Sequence, residues 1–134
     1  MYKKIVLANG CFDIYHVGHV LYLEQAASMG DRLIVAVTRD AFVNKGPNRP
    51  TFKENDRLEV VRSNRHVNYA FLVDNSLEAL EKVMPDIFVK GKDYIGKIQK
   101  VHQDFCDANK IEIRFTDTEK YSATEIIRDR ARFG

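Results

Sequence analysis

A chain of 134 residues with 45% hydrophobic content has the size and apolar fraction of one domain with its own core, residues 1–134, and no repeat or low-complexity stretch divides it. Its 21 basic and 19 acidic residues leave a net charge of +2, too weak a field to argue for nucleic acid or a membrane surface as partner. Cys11 and Cys106 stand far apart without a C-x-x-C pair, which argues against a disulfide framework or a thiolate zinc site and reads both as small buried side chains. No charged leader and no apolar run of roughly 18 residues is present, so the expected location is the cytoplasm.

In chain order, the apolar run 5–8 reads as a strand that enters a turn, Asn9-Gly10-Cys11-Phe12-Asp13, and then the segment His16-Val17-Gly18-His19. A helix is predicted from about residues 16–18, burying Leu21, Leu23, Ala26 and Ala27 and ending at Gly30 in a left-handed cap. A strand over 33–38 follows, then a mobile-looking basic loop, Lys45-Gly46-Pro47-Asn48-Arg49-Pro50, in which Asn48, Arg49 and Lys53 read as an ordinary solvated turn. A helix over 55–65 leads to a strand over 69–73. The next helix, 76–84, carries Leu77, Leu80, Val83 and Met84 on one side, is capped by Asn75 with Glu78, and is stopped by Pro85. A strand over 87–90 precedes a helix whose buried face is Ile98, Val101, Phe105 and Cys106, and a strand over 111–115 follows. Ser122 with Glu125 repeats the capping pattern before Ile126 and Ile127.

Strands rich in β-branched residues alternating with amphipathic helices predict an α/β fold: a single Rossmann-like, doubly wound domain with a five-stranded parallel sheet. Ligands of such sheets bind beyond the carboxyl ends of the strands, where the strand order reverses. That rule gathers the histidine turn, the loop 45–57, Gly91-Lys92-Asp93-Tyr94 and residues 116–124. Two histidines three apart at a helix start can aim two imidazoles at one anion, or serve as hydrogen-bonded structural residues. Gly91 ending a strand permits backbone contact with a base or ribose, and Asp93 can accept from ribose hydroxyls or orient a metal; a plain turn explains the segment equally. Asp13 reads as a metal helper or a helix cap. His66 and His102 read as lying remote from the strand ends, which leaves a zinc site on His16 and His19 without a third ligand. Neither G-x-G-x-x-G nor a Walker lysine loop is present, so hydride transfer is disfavoured.

The string 9–19 resembles the signature of the cytidylyltransferase-like nucleotidyltransferases, in which Gly-(Thr/Cys)-Phe-Asp precedes an H-x-G-H element. With Gly-Asp-Arg-Leu-Ile-Val-Ala-Val at 30–37, Lys-Gly-Pro-Asn-Arg-Pro at 45–50 and Val-Lys-Gly-Lys-Asp-Tyr at 89–94, the chain resembles in particular the adenylyltransferase domain of the bacterial ADP-heptose synthesis enzymes. Tyr121-Ser122-Ala123-Thr124-Glu125-Ile126-Ile127 resembles the family's S-T-T-x-I-I stretch with one hydroxyl missing at Ala123. Thr116-Asp117-Thr118-Glu119-Lys120 stands where glycerol-3-phosphate cytidylyltransferases carry Arg-Thr-Glu-Gly. Lys92 replaces a residue that is more often glycine or acidic.

The resemblance implies attack by a substrate phosphate oxygen on the α-phosphorus of a nucleoside triphosphate, with pyrophosphate leaving. His16 and His19 then stabilise developing charge, Lys45 and Arg57 clamp phosphates, and Gly10, Cys11, Phe12, Asp13, Gly18, Lys90, Gly91, Asp93, Tyr94, Ser122 and Thr124 hold the nucleotide. It implies Mg²⁺ carried by the triphosphate, no residue dedicated to a metal, a homodimer, and a sugar kinase as a separate protein. ATP with a heptose-type sugar 1-phosphate ranks first and CTP with glycerol 3-phosphate second. Flavin mononucleotide adenylylation is third, and a non-catalytic nucleotide sensor is the alternative of another class. An aminoacyl-tRNA synthetase has no room here for a tRNA-binding domain.

Overall fold

Five short runs of β-branched and small apolar residues pair into one sheet. In the computed structural model, which describes residues 2–117, the strands β1 (Ile5–Gly10), β2 (Arg32–Thr38), β3 (Tyr69–Val73), β4 (Ile87–Lys90) and β5 (Glu112–Phe115) lie in the order β3-β2-β1-β4-β5. Every pairing is parallel. The order turns back between β1 and β4, so the crevice beyond their carboxyl ends is the ligand position that this topology provides.

Alternation along β1 sends its side chains to two cores. Val6 and Ala8 pack with Leu23 and Ala26 of α1 (Val17–Ala27) and Leu58 and Val61 of α2 (Glu54–Arg62). Leu7 packs on the other face with Ala79 and Leu80 of α3 (Ser76–Val83) and Cys106 of α4 (Lys100–Ala108). Helices cover both faces, as a doubly wound sheet requires; burial on both sides is why the strands are continuous apolar runs rather than alternating ones.

Several expected boundaries move. β1 runs two residues further than predicted, which carries Asn9 and Gly10 into the sheet. α2 ends at Arg62 rather than 65. α1 stops at Ala27 with Ser28 in a right-handed cap, and Gly30 is not left-handed. Its lack of a side chain serves close approach instead: a Cβ there would stand 2.7 Å from Val6 Cγ2 and 2.9 Å from the Lys4 carbonyl oxygen. The left-handed cap falls at Met84 (φ 47°), which ends α3 ahead of Pro85 and stands 50% exposed instead of joining the core. Val101 is likewise 49% exposed. Residues 102, 105 and 106 share one stripe of α4, which carries His102 inward in its place, and Ile98 lies ahead of the helix. Cys106 is buried as expected, while Cys11 is only half-buried; both thiols are free.

Candidate active site

The turn from β1 into α1 is fastened by the two histidines themselves. His16 is the N-cap of α1: its Nδ1 accepts from the Gly18 backbone N–H at 3.0 Å, and the His16 backbone N–H donates to Nδ1 of His19 at 3.1 Å. This is a reciprocal capping box built from imidazoles. An Nδ1 that accepts a hydrogen bond cannot carry the proton, so each ring is neutral with its N–H on Nε2. The rings stack with centroids 4.0 Å apart, and His19 also meets the edge of Phe12 and the face of Tyr15. Burial, the neighbouring His16 and the Lys45 ammonium push His19 down to about 3; burial and Lys45 lower His16 as well. Two neutral donors at the positive end of a helix form a site for an anion.

Phe12 and Asp13 do not line the cavity that holds the two histidines. Phe12 is buried with left-handed backbone (φ 54°), its ring under His19; a Cβ on Gly10 would sit 3.1 Å from that ring, which is why a glycine stands there. Asp13 is 2% exposed and its carboxylate is fully engaged, accepting from Arg49 Nε at 2.9 Å and from the backbone N–H groups of Thr51 (2.8 Å) and Phe52 (3.0 Å). It is neither a metal helper nor a helix cap but the anchor of the basic loop. Burial alone would raise its pKa; the two backbone donors and Arg49 together outweigh that and hold it below the usual carboxylate range. Arg49, read as a solvated residue, also donates through Nη2 to the Asp13 carbonyl, and Lys45 Nζ reaches the same oxygen at 3.5 Å.

Arg57 differs most from expectation. At 2% exposure its guanidinium lies beneath the site, donating to the carbonyls of Phe52, Cys11 and Thr38 and to Asp40 Oδ1 at 2.7–2.9 Å. It cannot touch a phosphate in this arrangement. It staples the carboxyl ends of β1 and β2 to the start of α2 and thereby positions the turn that bears the histidines.

Beyond β4 the expected residues converge. His16, His19, Gly18 and Lys45 line one side of a cavity of about 340 Å³, and Lys90, Gly91, Asp93 and Tyr94 line the other. Gly10 lies at its floor with Asn9 and Tyr22, neither of which the sequence reading singled out. Asn9 is fixed by its Nδ2–H to the Ala36 carbonyl at 2.8 Å, and Tyr22 by its hydroxyl to the Val89 carbonyl at 2.9 Å; burial raises the Tyr22 pKa, so it stays a neutral donor. A Cβ on Gly91 would meet Asp93 Oδ1 at 2.7 Å, so glycine is required for Asp93 to fold back over the strand end. Lys90 Nζ lies 4.3 Å from the Tyr94 ring centroid. Cys11 lines a second cavity beside the first, and so does His102, contrary to its expected remoteness. His66 is remote, 3.5 Å from Glu24. Ser122 and Thr124 lie outside the described residues.

Among the described residues no group of three His, Cys, Asp or Glu side chains could hold a metal. With Asp13 engaged, the donors around the first cavity suit phosphates rather than a caged cation. The arrangement is a positively charged cleft at a helix N-terminus, lined also by a glycine and an acidic side chain, which matches the parts of a nucleotide.

The pattern described as cytidylyltransferase-like matches residues 7–129. The chain belongs to the cytidylyltransferase-like family. Among curated proteins it is 43% identical over 134 residues to the Bifunctional protein HldE of Ectopseudomonas mendocina, covering 97% of this chain and 28% of that protein. It is also 43% identical over 119 residues to that of Aliarcobacter butzleri, covering 86% and 25%. The chain thus spans about a quarter of the length of these relatives. Among solved structures, a lipopolysaccharide core biosynthesis protein from Thermoplasma volcanium superposes with a TM-score of 0.72 at 31% identity, covering 90% of this chain and 100% of that one. Pantothenate synthetase from Thermus thermophilus, at 12% identity and a TM-score of 0.64, shares the fold of this cytidylyltransferase-like chain.

Proposed function

We propose that this chain transfers AMP from ATP to the phosphate of a heptose-type sugar 1-phosphate, releasing pyrophosphate. The observation that carries this reading is the pair of Nε2–H donors held by reciprocal capping at the start of α1, in one cavity with Lys45 and Lys90. An oxygen of the acceptor phosphate forms a bond to the α-phosphorus, the bond to the bridging oxygen breaks, and its electron pair leaves on pyrophosphate. No proton has to be removed from the nucleophile, because a phosphate monoester is largely a dianion at neutral pH. The protein's task is to orient two anions in line and to offset charge growing on the α-phosphate and the leaving group. His16 and His19 do this without reorganising, since their tautomers are fixed beforehand. Asp93 and the Gly91 backbone receive the ribose, Lys45 comes over the phosphates on its Asp13-anchored loop, and Ser122 and Thr124 would add hydroxyl donors.

Mg²⁺ enters as part of the nucleotide substrate, held by phosphate oxygens and water. The similarity to HldE supports a heptose-type acceptor. The missing Arg-Thr-Glu-Gly element disfavours CTP with glycerol 3-phosphate. On this reading residues 1–134 act as one transfer domain in the cytoplasm, as a homodimer, downstream of a sugar kinase.

Pyrophosphate release measured over four nucleotides and a panel of acceptors, heptose 1-phosphate and glycerol 3-phosphate among them, tests the reading. ATP with heptose 1-phosphate is expected to give the highest kcat/KM. Preference for CTP with glycerol 3-phosphate would replace this reading by the cytidylyl one. Nucleotide binding without turnover on any acceptor, unchanged in His16→Ala and His19→Ala, would make the chain a sensor.

A further inference from the structure

The reaction proposed above brings two phosphates together, and their mutual repulsion must be offset at the point where they meet. Of the lysines that line the first cavity, Lys90 is the one that also lines the second, of about 490 Å³. Its ammonium rests against ring faces, 4.3 Å from the centroid of Tyr94 and 5.6 Å from that of Phe88, and the Asp93 carboxylate acts on it electrostatically. Aromatic faces fix a cation in place while leaving its N–H donors to a ligand.

The second cavity shares Asn9, Gly10, Lys90 and Tyr94 with the first and adds polar side chains that the transfer chemistry does not use. Asp74, just after β3, projects a carboxylate that Arg39 holds at 3.2 Å, while its backbone N–H donates to Glu78 at 3.0 Å. His102 of α4 lines the same space; burial and the Lys90 charge lower its pKa, so at neutral pH its ring offers one donor and one acceptor. A carboxylate and a neutral imidazole are hydroxyl readers, and a lysine between two cavities is a phosphate reader. Together they describe a polyhydroxylated phosphate monoester.

We propose that Lys90 is the cation shared by the acceptor phosphate and the α-phosphate, and that Asp74 and His102 are the residues that select the acceptor's hydroxyls in the second cavity. The inference rests on the transferase reading above and assigns the surface that chooses its second substrate. Seating the acceptor there puts its phosphate at the Lys90 edge, directly beside the cavity that His16 and His19 line.

The test uses ATP and heptose 1-phosphate with the full chain. Asp74→Asn and His102→Asn are expected to raise the acceptor KM about tenfold each while the ATP KM stays within about twofold, the size of one lost polar contact. Lys90→Met is expected to lower kcat about a hundredfold, because it touches both phosphates, with Lys90→Arg recovering part of it. Equal changes in both Michaelis constants, or an acceptor KM unmoved in Asp74→Asn and His102→Asn, overturn the assignment. Calorimetric titration with heptose 1-phosphate reads the second cavity without turnover. Binding unaltered in the variants fails this inference alone, whereas a wild-type chain that releases no pyrophosphate fails the transferase reading.

Discussion

An imidazole that accepts a backbone hydrogen bond through Nδ1 does two things at once: it ends a helix and it chooses which of its own nitrogens carries the proton. His16 and His19 do both, so an alanine at either position confounds stability with chemistry. Asparagine separates them, since its side-chain oxygen can cap the helix while supplying no ring donor. We expect His16→Ala to lose about 1 kcal/mol of stability through the cap and His16→Asn to keep most of it. Both should lose roughly 100-fold to 1000-fold in kcat, the usual consequence of removing one charge-stabilising donor. Thermal melting and steady-state kinetics on the same two proteins read the difference.

The same histidines set an acid limit. Because His19 is held near 3 in the folded chain, an unfolded chain with an ordinary histidine binds a proton below about 6.5 that the folded one refuses. Stability contributed by this group is complete above 6.5 and falls as the pH drops towards 3. Asp13 is depressed too, but its contribution is lost only below the ordinary aspartate range. The decrease in Tm between pH 7 and pH 5 therefore belongs to the histidines and should be smaller in His19→Asn than in the wild type. An equal decrease in both would show that the ring titrates freely.

At the scale of elements, the site is a turn and a loop held together by one buried carboxylate and one buried guanidinium. Removing the Asp13 side chain leaves the Arg49 Nε–H and two backbone donors without their acceptor, while Arg49 Nη2 keeps the Asp13 carbonyl, and leaving a buried donor unsatisfied costs about 1 to 3 kcal/mol. Asp13→Ala should show that loss in urea unfolding, and the Thr51 and Phe52 amides should lose hydrogen-exchange protection first. Arg57→Lys should not rescue an Arg57→Met variant, because a single ammonium cannot span the three carbonyls and the carboxylate that the planar fork reaches. These devices explain what the sequence conceals. The type and spacing of His16 and His19 reveal a site, and helical and strand periods reveal the elements. Whether Arg57 and Asp13 point at a ligand or at the backbone depends on tertiary packing that no local pattern encodes. His102 is legible in the sequence, since its spacing to Phe105 and Cys106 puts it on their helical stripe, which Val101 does not share.

At the scale of the whole molecule, the strand order β3-β2-β1-β4-β5 opens a crevice between β1 and β4, and most of the residues that the sequence tied to chemistry within residues 2–117 line the two cavities at that end. The fold was legible because parallel strands buried on both faces must be apolar runs, and five such runs separated by helices admit few topologies. The presence of two cavities was not, since it depends on where Lys90 and Tyr94 place their side chains. The crevice predicts how the protein responds to its substrate. A ligand that binds only the folded chain stabilises it by about 2.7 kcal/mol at a hundredfold excess over its Kd. MgATP should raise the wild-type Tm by several degrees. Lys45→Ala and His16→Asn should show a smaller rise at the same concentration, as each removes a phosphate contact at the first cavity. His102→Asn, which lines only the second, should keep the full rise with MgATP. That contrast, read by differential scanning calorimetry, separates the two halves of the crevice without requiring turnover.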